Sequence, residues 1–109
     1  MPEVRRKVSR KRLRLPVRYG ARRPDLPAYT TDLSPTGICI KTNKVFQPGA
    51  QLVVRLDTGN TILVARGRVR WARQVPALLM AHTHCGMGIE FTAMSRRFQQ
   101  YLRSLDKGR

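Results

Sequence analysis

Acidic residues are scarce in this 109-residue chain: six Asp plus Glu stand against 22 Lys plus Arg, a formal net charge of +16. Such an excess draws anions to the protein and so implies an anionic partner, without naming one. Cysteine is also scarce. Two cysteines exclude a disulfide framework and point to a reducing compartment. Aromatics are few, with one Trp, three Tyr and three Phe, which leaves little for stacking a run of bases. No apolar run approaches the roughly 18–20 residues that a membrane helix needs. The basic N-terminus is not followed by an apolar segment, so no secretory signal is expected, and the expected location is cytoplasmic. What remains is a chain of single-domain length with 41% hydrophobic residues, enough for one packed core.

The positive charge is uneven. Residues 1–23 hold ten basic residues against one acid, Glu3, and apolar residues are sparse before Leu13. Residues 1–12 are therefore expected to form a solvated basic arm, and 13–109 the folded domain. From Leu13 the apolar pattern has a period near two, broken by turn residues. Strands are expected from Leu13 through Val17, over 28–33, 38–42, 51–56 and 62–75, and from Gly86 to Phe91. Leu63, Ala65, Val69 and Trp71 share one expected face, which places Trp71 in the core, while Arg66, Arg68 and Arg70 share the other. Ser34-Pro35-Thr36-Gly37 reads as a tight turn, with Pro fixing φ and Gly permitting a positive φ. The period then changes: Met94, Phe98, Tyr101, Leu102 and Leu105 line one face of a helix, with Ser95 as its N-cap. The expected fold is all-β dominated, a six-stranded antiparallel β-barrel with a C-terminal α-helix and a flexible basic N-terminal arm.

Two local features carry chemistry. In Thr31-Asp32-Leu33-Ser34-Pro35-Thr36-Gly37, Asp32 and Ser34 lie two apart and share a side in extended backbone. A carboxylate there can accept the N1–H and N2–H₂ donors of a guanine edge, Ser can donate or accept, and Gly37 lets a ligand or another backbone come close. The same residues are ordinary turn formers, and both readings stand. The second feature is the arginine run, with Arg6, Arg10, Arg14 and Arg18 at intervals of four. Guanidinium chelates phosphate oxygens or the O6/N7 edge of guanine and stacks on bases, yet a basic run is also commonly a solvated tail.

Together these residues resemble the PilZ domain family, bacterial receptors for cyclic di-GMP. The resemblance rests on Arg-x-x-x-Arg before a first strand, Asp32-Leu33-Ser34-Pro35-Thr36-Gly37, Gly67-Arg68-Val69-Arg70-Trp71 and Gly88-Ile89-Glu90-Phe91, and runs from about Arg5 to Leu105. Arg5-Arg6-Lys7-Val8-Ser9-Arg10 followed by Val17-Arg18-Tyr19 fits the first motif with Arg6 and Arg10 as the pair. Choosing Arg10 and Arg14 would put the motif inside the strand. The surplus of neighbouring basic residues departs from the family pattern and offers substitutes for either arginine.

The resemblance implies a non-enzymatic receptor whose ligand is cyclic di-GMP, with no cofactor and no metal. Arg6 and Arg10 would take phosphates and guanine edges, Asp32 would read a guanine, and Ser34 and Gly37 would complete that side of the site. The arm would be mobile without ligand and would order on binding, presenting a new surface to an unidentified protein effector. The ligand can enter such a site singly or as an intercalated dimer, and Arg5, a cation placed to stack on a further guanine, favours the pair.

Two other readings compete: a small basic barrel that binds nucleic acid, and a family member without ligand that serves as an adaptor. Charge supports the first, including incidental nucleic-acid binding, while the few aromatics oppose it. The complete Asp32, Ser34, Gly37 set opposes the second. His82, His84 and Cys85 cluster without a second pair at zinc-like spacing, so no metal is expected there. Arg66, Arg68 and Arg70 read equally as a solvated face or as an extension of an anion site.

Overall fold

The computed structural model describes residues 11–81 and 86–107. Seven strands run in the order β1 (Lys11–Arg12), β2 (Pro16–Gly20), β3 (Leu26–Leu33), β4 (Gly37–Lys41), β5 (Gln51–Asp57), β6 (Ile62–Arg73) and β7 (Gly86–Met94), and helix α1 spans Arg96–Lys107. All described pairings are antiparallel. The order β3-β2-β5-β6-β7-β4 closes on itself through β3–β4, which makes a six-stranded barrel with β1 as an extra strand outside the ring. Closure leaves the barrel wall without a free edge.

Period-two alternation builds the wall, as the sequence implies. Along β6 the side chains of Leu63, Ala65 and Val69 are buried, while Val64, Arg66 and Arg68 face out. Leu52, Val54 and Leu56 do the same on β5. With Ile38, Ile40, Met87 and Ile89 they fill one core. Tyr19 is fully buried among them, yet its hydroxyl is satisfied: it donates to the Lys44 carbonyl oxygen at 2.6 Å and shares a 2.8 Å hydrogen bond with Thr42 Oγ1. Burial raises the Tyr19 pKa, and the Thr42 bond partly opposes that rise.

Helix α1 begins where Ser95 Oγ accepts the Phe98 backbone N–H at 3.1 Å, the N-cap expected from sequence. Its stripe lays Phe98 and Leu102 in the barrel core, with Met94, Tyr101 and Leu105 packed against it. Phe98 meets Phe91 of β7 edge-on at 5.3 Å. Among the described residues no helix is long and apolar enough to cross a membrane.

The first expected strand is divided. Leu13 and Leu15 are partly buried against the core, but between β1 and β2 the Thr30 hydroxyl accepts the Leu15 N–H at 2.9 Å and donates to the Leu13 carbonyl. A side chain here replaces part of the backbone ladder. On the N-terminal side Lys11 and Arg12 pair with Leu33 and Asp32. The sheet therefore extends two residues into the stretch read from sequence as arm.

Candidate functional site

The Asp-x-Ser-x-x-Gly segment spans the end of β3, the β3–β4 turn and the start of β4. Ser34 holds the turn together. Its N–H donates to the Gly37 carbonyl at 2.9 Å, and its Oγ accepts the N–H groups of Thr36 and Gly37 at 3.3 and 3.2 Å. A further bond, Phe91 N–H to the Thr36 carbonyl at 2.9 Å, ties the turn to β7. Gly37 is needed for space. A Cβ there would lie 2.5 Å from the Ile89 carbonyl oxygen. Its φ is not positive, unlike those of Gly49, Gly59 and Gly86, so the conformational reason expected from sequence gives way to close strand approach.

Asp32 reaches the outer wall through a bulge. Thr30 pairs with Ile40 and Asp32 with Cys39, so Thr31 is an extra residue on β3. Without it, Asp32 would share the inward face of buried Thr30. Asp32 and Ser34 consequently do not present side by side from one strand face: Asp32 is half-buried on the wall, whereas Ser34 is buried in the turn.

A second bulge corrects the placing of Trp71. Val69 pairs with Ile89, and Trp71 with Gly88, which leaves Arg70 as the extra residue. Paired residues point to the same side. Ile89 points in, so Gly88 and Trp71 point out. Trp71 is half-buried on the outer wall rather than part of the core. A Cβ on Gly88 would lie 2.0 Å from Trp71 Nε1, so the indole lies directly over that glycine.

The registers join these residues into one row. Arg12 stands opposite Asp32, Asp32 opposite Cys39, Cys39 opposite Gly88, and Gly88 opposite Trp71. Neighbours in such a row stand about 4.5–5.5 Å apart. Beside it a cleft of about 240 Å³ is lined by Thr36, Gly37, Cys39, Arg70, Trp71 and Glu90, among others. Arg70 Nη1 donates to Glu90 Oε1 at 2.8 Å across this cleft. Both side chains are half-exposed, so the pair contributes little to stability, but it holds a guanidinium at the cleft that Trp71 also lines. Arg66 and Arg68 stay exposed on the wall of β6. Among the described residues no cluster of His, Cys, Asp and Glu could hold a metal.

The sequence singles out Asp32, Ser34 and Gly37, and the structure sets them together around the β3–β4 turn. Sequence reasoning missed the outward Trp71 and the Arg70–Glu90 pair. Gly88 was the available signal, because a glycine inside a strand often marks close approach by another group. Arg5, Arg6 and Arg10, and likewise His82, His84 and Cys85, lie outside the described residues.

The PilZ domain family model matches residues 4–105. The chain belongs to the PilZ domain family. No curated protein sequence matches it. Among solved structures the barrel is similar to the Bacillus subtilis inhibitor of motility, MotI/DgrA, with a TM-score of 0.73 at 19% identity. That match covers 94% of this chain and 53% of the other, so this PilZ chain spans about half of the solved protein. At that identity the likeness establishes the fold.

Proposed function

We propose that this PilZ protein is a non-enzymatic receptor for cyclic di-GMP that acts in the cytoplasm through a protein partner. The observation that carries the reading is the outward row from Arg12 through Asp32 to Trp71. It places a cation, a carboxylate and an aromatic face on one wall, beside a turn that Ser34 holds closed. Cyclic di-GMP offers the complementary groups: guanine donors, flat bases and two phosphodiester charges.

In this reading Asp32 accepts the guanine N1–H and N2–H₂. Trp71 supplies a stacking face, and Arg70 beside it offers a charge-assisted contact to phosphate. Ser34 and Gly37 shape the turn that completes that side. Arg6 and Arg10 take phosphate oxygens and guanine edges, with Arg5 stacking on a further base when the ligand enters as an intercalated pair. β1 supports this assignment because it brings the chain alongside Asp32, and Arg10 is the residue before it. Ordering of the arm over the ligand is the switch that the partner reads.

Isothermal titration of cyclic di-GMP into the protein tests the reading. Binding is expected at micromolar Kd or tighter, about −8 kcal/mol or better, with two ligands per chain. Arg10→Ala and Asp32→Ala are both expected to weaken it markedly. A wild-type protein that does not bind overturns the reading; a stoichiometry of one overturns only the intercalated pair.

A further inference from the structure

The nucleotide site leaves most of the +16 charge without a task, and a second wall of the barrel carries part of it. On the outer face of β2, β3, β5 and β6, Tyr29 stands opposite Pro16, and Pro27 opposite Arg18. Arg18 stands opposite Arg55, Arg55 opposite Val64, and Asp57 opposite Ile62. Tyr29, Ile62 and Val64 are 43, 41 and 46% exposed, three of the five large exposed apolar side chains among the described residues. A cleft of about 410 Å³ opens here, with Pro16, Pro27, Tyr29 and Ile62 as its apolar lining and Arg18 and Arg55 as its cations. Tyr29 also lines an adjoining cleft of about 570 Å³ that includes Arg14 and Lys41.

The charge on this wall is mostly positive. Arg14, Arg18, Lys41 and Arg55 face a single acid, Asp57, whose Oδ1 already accepts the Gly59 N–H at 2.9 Å. An apolar floor rimmed by guanidinium groups complements a chain with both apolar side chains and carboxylates. It complements nucleic acid poorly, because stacking needs open aromatic faces. Tyr29 is the aromatic in the two clefts, and the Arg14 guanidinium covers one of its faces at 3.9 Å.

We propose that this wall docks an acidic segment of a partner protein. An apolar side chain enters the cleft between Pro16 and Ile62, and flanking carboxylates meet Arg18 and Arg55. Where it concerns a signalling partner, the proposal rests on the receptor reading. The 410 Å³ cleft is built by β2, β3, β5 and β6 and shares no lining residue with the row from Arg12 to Trp71, so its binding can be measured without the nucleotide.

The test uses the full chain and three fluorescent probes at about 0.15 M salt, where exposed charges are largely screened beyond about 8 Å. The probes are a random copolymer of glutamate and tyrosine, polyglutamate, and a single-stranded thymidine oligomer of matched charge. Anisotropy is expected to show the copolymer binding about tenfold tighter than polyglutamate, the ratio that burial of about two methylene groups gives. Ile62→Ser is expected to remove most of that preference, and Arg55→Gln to weaken binding of both polypeptides. Both positions are exposed, so melting temperature should hold, and so should cyclic di-GMP affinity. Equal binding of the two polypeptides overturns the proposal. So does unchanged copolymer binding in both variants. Thymidine-oligomer binding as tight as the copolymer's, and lost in the same variants, assigns the wall to nucleic acid instead. Failure of wild-type protein to bind cyclic di-GMP, with the copolymer result intact, removes the receptor reading and leaves the docking wall.

Discussion

The two outer walls of this barrel are made differently. The wall of β4 and β7 depends on irregularities: an extra Thr31, an extra Arg70, and glycines at 37 and 88 that let other groups pack onto the backbone. The wall of β2 and β5 runs in unbroken alternation. A site built on bulges is set by geometry, so small changes in shape should disable it. A site built on alternation is set by composition, so single changes should only weaken it.

Gly88→Val should separate the walls most strongly. Its side chain needs space that the Trp71 indole occupies, and overpacking of this kind costs about 1–3 kcal/mol. Thermal melting should show that loss, and titration should show cyclic di-GMP affinity falling with it. Val64→Thr, on the regular wall, should change stability by no more than about 0.5 kcal/mol. Similar losses in the two variants would erase the contrast.

Asp32→Ala should weaken cyclic di-GMP binding, read by titration. Losing hydrogen bonds to a charged acceptor costs about 1.5–3 kcal/mol, roughly a 10- to 150-fold weaker Kd. An unchanged Kd would place the ligand elsewhere.

Tyr19→Phe examines the core between the walls. It removes the bonds to Thr42 and Lys44 and should cost about 1 kcal/mol in denaturant unfolding. The same group gives a pH signature. The Tyr19 pKa is raised above its ordinary 10.0 by burial, so the fold favours the neutral phenol. Its stabilising contribution is whole below pH 10 and falls as pH rises through the folded value. Tyr101 is shifted in the same direction by burial. Denaturant midpoints should therefore decline above pH 10 in the wild type and decline less in Tyr19→Phe.

Glu90→Gln should give the smallest effect on the fold. The Arg70–Glu90 pair is half-exposed, and such pairs contribute about 0–1 kcal/mol. Chemical unfolding should show a change below that ceiling; a larger one would make the pair structural rather than a means of holding Arg70 at the cleft.

Much of this was legible in the residues. Alternation located the barrel strands because the side chains of a wall must choose between core and solvent. The change to helical spacing at Met94 located α1, and Ser95 announced its start. The motif residues Asp32, Ser34 and Gly37 stood out as a group. Their division of labour did not: Ser34 looks equally suited to a ligand and to a turn until its hydroxyl is seen accepting two backbone N–H groups.

Trp71 marks the limit. Counted from Val69 by twos, it belongs inside, as Asp32 does when counted from Thr30. Both point outward because an extra residue, Thr31 or Arg70, precedes each with no counterpart on the partner strand. The sequence by itself determined the strands, the helix, the apolar core and the excess of positive charge, since each follows from local spacing and composition. Only the tertiary structure decided that Asp32 and Trp71 share an outer wall, because a bulge is a property of two paired strands, and neither strand alone records where its partner will slip.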